Sequence, residues 1–345
     1  MAFFGVGASA DSTSPSRAAA PLPPHPSSPI PVQGRPLGGG VRVPFGETGC
    51  SVFPLILGGA EFGWNVDLDS SHDILDTYTD LGGNVVHTAD SYSAGRSEHI
   101  IGQWIHSRGV RDDIVLMVRI GGHPDNPGLG PVNLVRAVEA ALTRLRTDRI
   151  DVLTLDATTD SATALEDTLA TAEWLVESGK VRALGAAGYT AAQLVEARIL
   201  ASAGFPRITV LDVPFNVLRR HDFDADLRLV AGAQSMAVTP SHALEHGFLS
   251  GRHRTRQRTM LSARGAQLAA NINRRGSRTL RALDAVGTEL GVPDAAVAVA
   301  WLLAQRLVTA PIVNAYAPTQ VEELVQGVGV RLGRSHLADI ARASE

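Results

Sequence analysis

From about residue 41 onward, short apolar runs alternate with longer segments in which apolar positions recur every three or four residues. The first pattern suits a strand buried on both faces and the second a helix with one apolar stripe, so their alternation predicts βα units around a parallel sheet. Strands are predicted at 53–57, 84–89, 114–120, 151–156, 182–186, 208–213, 236–239 and 311–314. Helices are predicted at 70–81, 97–109, 132–146, 163–179, 191–203, 221–233, 278–290 and 319–327. Eight strands of this kind fit an α/β fold, a closed (β/α)8 TIM barrel, over residues 41–345. Thr190-Ala191-Ala192-Gln193 has the form of a capping box, in which a hydroxyl and an amide satisfy free backbone N–H groups at a helix start. Residues 41–45 and the turn Gly46-Glu47-Thr48-Gly49 read as a hairpin placed to plug the barrel base. Residues 252–275, rich in arginine and without apolar period, read either as a mobile loop at the catalytic mouth or as a solvated linker.

Residues 1–40 are rich in Pro, Ser, Gly and Ala and show neither period, which predicts a disordered leader ahead of the barrel. The whole chain has 345 residues, 44% of them hydrophobic, enough to bury a full barrel core. A net charge of -4 without a basic stripe argues against nucleic acid and against a polybasic membrane contact. No apolar run approaches the ~20 residues that span a bilayer. The start lacks the basic segment of a signal peptide, so a soluble cytoplasmic protein acting on a small molecule is expected. Cys50 is the only cysteine, which excludes an internal disulfide and a multi-thiolate metal site. His242, Glu245 and His246 cluster near the seventh strand and read as mouth residues, so no metal is expected. Lys180 is the only lysine, and a Lys-to-Arg difference in this chain therefore carries little weight.

The richest stretch is Gly82-Gly83-Asn84-Val85-Val86-His87-Thr88-Ala89-Asp90-Ser91-Tyr92-Ser93, followed by Gly95-Arg96-Ser97-Glu98. With Leu57-Gly58-Gly59, Phe62-Gly63-Trp64, Gly179-Lys180-Val181-Arg182, Phe215-Asn216, Gly247-Phe248-Leu249-Ser250-Gly251 and Ala310-Pro311-Ile312-Val313, in that order, it resembles the aldo-keto reductases over roughly residues 41–332. The resemblance implies the TIM barrel and a site built from Asp, Tyr, Lys and His at successive strand ends. In that family the tyrosine protonates a carbonyl as hydride arrives, a lysine paired with the aspartate lowers the tyrosine pKa, and the histidine orients the carbonyl oxygen. Carried over, the aspartate position holds His87, the tyrosine position keeps Tyr92, the lysine position holds Arg119 and the histidine position holds Asp156. Arg119 is placed to pair with Asp156 and to favour tyrosinate at Tyr92, and His87 is the member whose ordinary pKa suits a general acid or base.

The resemblance also implies a nicotinamide cofactor, and here the sequence departs again. Where the family holds the carboxamide with Ser-Asn and Gln, this chain has Ala187, Gly188 and Asp212. The pyrophosphate-loop serine is His242, the Arg after the eighth strand is Tyr316 and the Asn that reads adenine is Leu324, while Leu244, Gln320 and Glu323 match. Phe215 stands either as a ring stacked on nicotinamide or as ordinary barrel packing, and Trp64 as a substrate or cofactor contact. With so many hydrogen bonds missing, the expectation is that no cofactor is used and that the barrel performs redox-neutral acid-base chemistry on a hydroxy or carbonyl compound in specialised biosynthesis: isomerisation, dehydration or cyclisation. The alternatives are an NADPH-dependent carbonyl reductase with a remodelled cofactor site, and a non-catalytic binding protein.

Overall fold

The computed structural model describes residues 1–2, 41–160, 162–260 and 262–345; the leader expected over 1–40 lies outside them but for its first two residues. Strands β1 (Val43–Pro44) and β2 (Ser51–Val52) pair antiparallel, as the hairpin reading requires. Eight parallel strands follow: β3 (Ile56–Gly58), β4 (Val85–Ala89), β5 (Val115–Ile120), β6 (Ile150–Asp156), β7 (Val181–Ala187), β8 (Ile208–Pro214), β9 (Ala237–Ser241) and β10 (Ile312–Val313). Their order is β10-β3-β4-β5-β6-β7-β8-β9. The ring closes where Val238 bridges Val308 and the Thr309 N–H donates to the Val238 carbonyl at 2.9 Å.

The helices are α1 (Leu68–Asp80), α2 (Arg96–Arg108), α3 (Pro131–Leu145), α4 (Leu165–Glu177), α5 (Ala191–Ser202), α6 (Ala225–Ala233), α7 (Arg256–Thr259), α8 (Gly265–Ala270), α9 (Arg274–Leu290), α10 (Asp294–Leu303), α11 (Pro318–Gly329) and α12 (Arg334–Ala343). The capping box at Thr190 forms with both of its bonds. Alternation of strand and helix thus produces a (β/α)8 barrel because each strand is sealed on its outer face by the helix that follows it.

Two apolar cores result. Between strands and helices lies the larger one; the smaller fills the lower barrel, where Phe45 and Val52 of the hairpin pack on Ile56, Val85, Met117 and Val152. The hairpin therefore plugs the base. Its turn requires Gly46, whose φ is +56° and where a Cβ would sit 2.8 Å from the Thr209 carbonyl. No single helix among the described residues is long and apolar enough to cross a membrane; α9 and α10 pass that test together but meet at 95°, and the interior of α10 is buried.

The segment 252–275 departs from the loop expected there. It carries α7 and α8, and Arg264 between them reaches back across the barrel mouth, where its Nε donates to Glu61 Oε1 at 2.9 Å. Arginine density in this segment reflects ion pairing with carboxylates from distant elements: Arg252 with Glu323 and Arg254 with Asp284 and Asp294. Short apolar contacts such as Leu268, fully buried, were hidden among those charges.

Candidate active site

The register of the parallel strands builds the site at their C-terminal ends. Asp156 on β6 pairs with Ala187 on β7, and Ala187 with Asp212 on β8, so the two carboxylates stand level with a small side chain between them. Arg119 on β5 spans the gap: its Nε lies 3.5 Å from Asp156 Oδ2 and one terminal nitrogen 3.8 Å from Asp212 Oδ2. Asp156 is held in place from behind, since its Oδ1 accepts from the Thr158 N–H at 3.0 Å and the Thr158 hydroxyl at 2.6 Å. The expected Arg119–Asp156 pair is present, with Asp212 as a second partner.

Tyr92 follows β4 in a short 3-10 turn whose next two residues, Ser93 and Ala94, take φ of 51° and 54°. This left-handed pair turns the chain sharply and sets the Tyr92 ring edge-on to His87, with centroids 5.9 Å apart, and under Arg119, whose guanidinium carbon is 5.8 Å from the ring centre. His87, Tyr92, Arg119 and Asp156 therefore converge. A cavity of about 220 Å³ is lined by His87, Tyr92, Arg119, Ser241, His242 and Tyr316, among others. It adjoins a second of about 460 Å³ that runs to Gln320, Glu323 and Leu324 on α11 and shares Leu244, His246, Gly247, Asn314 and Tyr316 with the first.

Burial sets the protonation states. His87 is 2% exposed, and desolvation, assisted by the Arg119 charge, pulls its pKa down to about 3. The imidazole is therefore neutral at working pH, which replaces the expected general acid or base by a neutral hydrogen-bonding group. Tyr92 is corrected in the same way: desolvation raises its pKa and outweighs the lowering effect of Arg119, so tyrosinate is not favoured. Burial also raises the Asp212 carboxyl against the pull of Arg119. Neither ring nitrogen of His87 has a hydrogen-bond partner among the described residues, and the Asp212 carboxyl is met only by Arg119 at 3.8 Å and by the Ser241 side chain. Buried polar atoms in this condition are uncommon in folded proteins and call for a partner.

Gly188 sits tightly against the loop after β6. Its φ is +72°, and a Cβ there would come within 2.3 Å of Thr158 Cγ2, so the family's asparagine has no room beside this Thr158. Phe215 leaves the site: it is 1% exposed and packs against Phe223 and Trp301, each at 5.5 Å, with Arg228 over its face. The packing reading of Phe215 is the one the structure supports. His242 lines the cavity, has φ of 54° and lies 4.9 Å from His246, edge to face; burial first, then His246, lowers its pKa to about 4. Glu245 accepts from Arg219 at 2.9 Å and from Asn216 at 2.7 Å. Trp64, half exposed, lies under the Arg264 guanidinium at 5.2 Å.

His246, read from the sequence as a mouth residue, lines the cavity, while Ser241, Glu61 and Arg264 escape the sequence reading. Ser241 ends β9 and was readable as a strand-end position; the Arg264–Glu61 contact joins residues 203 apart and left no local signal.

The aldo/keto reductase family model matches residues 54–345. Among similar proteins, aldo-keto reductase ausK of Emericella nidulans is 30% identical over 87% of this chain and 80% of its own. Norsolorinic acid reductase B of Aspergillus parasiticus is 29% identical, over 76% of this chain and 73% of its own. A probable voltage-gated potassium channel subunit beta of Arabidopsis thaliana is 27% identical over 83% and 90%. Reductases among the relatives overturn the expectation that no cofactor is used, since reduction requires a hydride donor. From residue 54 to its C-terminus, this chain belongs to the aldo/keto reductase family.

Proposed function

We propose that the protein is an NADPH-dependent carbonyl reductase whose imidazole and carboxylate have exchanged places. The observation that carries this reading is the Arg119–Asp156 contact at 3.5 Å beside the Tyr92–His87 ring pair. The four positions carried over from the family still hold one phenol, one cation, one carboxylate and one imidazole, Tyr92, Arg119, Asp156 and His87. The carboxylate still braces the cation and the imidazole still faces the tyrosine; only the strands that carry them, β6 and β4, are swapped relative to the family arrangement. A site merely drifting towards inertness has no reason to keep all four groups in one contact set.

The two adjoining cavities suit an elongated dinucleotide, being of the size of ordinary ligand sites at ~300–1,000 Å³ taken together. Asp212, buried at the end of β8, would accept from the carboxamide NH2, and Arg252, Gln320 and Glu323 would hold the far end beside the start of α11. NADPH, when bound, supplies hydride to a carbonyl carbon. The Tyr92 hydroxyl gives its proton to the carbonyl oxygen, so that aldehyde or ketone becomes alcohol. Arg119, permanently charged, then stabilises the phenolate left behind, and the neutral His87 ring offers an N–H towards the same oxygen. A relative named as an aryl-alcohol dehydrogenase, from Pestalotiopsis microspora and 26% identical over 84% of this chain and 78% of its own, supports an aromatic carbonyl substrate.

Calorimetric titration with NADPH, followed by NADPH absorbance with an aromatic aldehyde, tests this. Micromolar binding and turnover lost about a thousandfold in Tyr92→Phe are expected. No binding at millimolar cofactor sinks the reading and redirects the search to reactions without a redox partner.

A further inference from the structure

A third and more open cavity of about 370 Å³ shares Ala60, Tyr92 and Arg264 with the first and is lined as well by Trp64, Ser91, Ser93 and Arg96. Its wall chemistry is unequal. Trp64 is 52% exposed, a large apolar side chain left open where most tryptophans are covered. Arg264 stacks over that face at 5.2 Å, but its charge is already matched by the buried Glu61, whose other oxygen is taken by the Asn65 amide at 2.7 Å. Arg96 differs. Its Nε donates to the Ser93 carbonyl at 3.1 Å, and among the described residues it has no carboxylate partner. The same backbone bond fixes the Arg96 stem at the first position of α2, so its charge stands on the rim of the cavity that opens on Tyr92.

We propose that this cavity takes the aromatic ring of a carbonyl substrate that bears an anionic group, a carboxylate or an acidic phenol, with the ring against Trp64 and the anion at Arg96. The inference rests on the reductase reading for its reaction and names the substrate class for it. A planar ring gains contact with the part of Trp64 that Arg264 leaves open, while a positive group in the same place meets the Arg96 cation. The carbonyl of such a substrate reaches Tyr92 because Tyr92 is itself a wall of the cavity.

The test compares 4-carboxybenzaldehyde with its methyl ester, which differ in charge and little in shape. With the full-length protein and NADPH, kcat/KM for the acid is expected to exceed that for the ester by about fivefold, the worth of one partly exposed charge pair, and Arg96→Gln should bring the ratio near one through KM. Equal turnover of acid and ester by the unaltered protein, or an Arg96→Gln ratio unchanged, overturns the proposal. If neither aldehyde consumes NADPH, the reductase reading has failed, and quenching of tryptophan fluorescence by 4-carboxybenzaldehyde then decides the site alone. Saturable quenching that is lost in Trp64→Leu and weakened in Arg96→Gln upholds it; no saturable quenching ends it.

Discussion

Gly188 and Thr158 occupy one another's space: a Cβ on the first would lie 2.3 Å from the Cγ2 of the second. Thr158 is held there because both its N–H and its hydroxyl donate to Asp156. The side-chain-free position after β7 and the carboxylate at the end of β6 are thus linked through one threonine.

Gly188→Asn should therefore lower stability by about 1–3 kcal/mol, the usual cost of an overpacked site, although asparagine tolerates the left-handed backbone. Thr158→Ala removes the colliding methyl. Thermal denaturation of the two single variants and the double should show Gly188→Asn to be milder in the Thr158→Ala background, by at least ~1 kcal/mol. Strict additivity would remove Thr158 as the reason for the glycine.

Acid should destabilise the protein through His87. Its folded pKa, about 3, lies below the unfolded value of 6.5, so the stabilising neutral state is complete above 6.5 and its benefit is lost as pH falls towards 3. Between pH ~6.5 and ~4.5 the unfolded chain gains a proton that the folded chain refuses, a loss on the order of 2 kcal/mol from this residue. His242, lowered to about 4, acts in the same direction. Urea unfolding across that range should show a smaller slope for His87→Gln, and an unchanged slope would show that the imidazole is not buried neutral. By the same reasoning kcat/KM of the unaltered protein should be flat from pH ~5 to ~9, because Tyr92 titrates above its ordinary range and His87 far below neutrality.

Much of this was legible in the chain. The barrel followed from alternating periods, and the Arg119–Asp156 pair followed from charge placed at neighbouring strand ends. Helix α10 was not, because residues 295–302 are all buried and so lack the polar face that marks a helix by its period. Arg264 was hidden for the opposite reason, being one arginine among many whose partner Glu61 lies on another loop. Protonation states were misjudged at His87 and Tyr92 because charge is visible in a sequence and desolvation is not; burial decides both.

Removing the cation should expose the cost of the carboxylates it serves. Arg119→Ala leaves Asp156 and Asp212, 8% and 2% exposed, without their shared partner, and a loss of about 3–5 kcal/mol is expected. The Asp212 carboxyl already has a raised pKa, so its ionised form costs stability above its unfolded value of 3.8. Asp212→Asn should accordingly stabilise the protein at neutral pH and restore part of the loss in Arg119→Ala. Chemical denaturation of the double variant decides this; a double variant no more stable than Arg119→Ala would mean that Asp212 is already protonated.

The exchange of imidazole and carboxylate makes the sharpest prediction. His87→Asp alone adds a third carboxylate to a buried site with one arginine, and Asp156→His alone leaves Arg119 only the longer 3.8 Å contact to Asp212 while depriving Thr158 of its acceptor. Each should reduce kcat/KM for an aromatic aldehyde by on the order of a hundredfold. Made together, they return each group to the strand that carries it in the rest of the family and leave the composition of the site unchanged. The double variant should then lose far less than the product of the single losses, a coupling on the order of 2 kcal/mol. If the losses multiply, the four groups do not act as one permuted set, and the reductase mechanism built on Tyr92 with a braced Arg119 has to be abandoned.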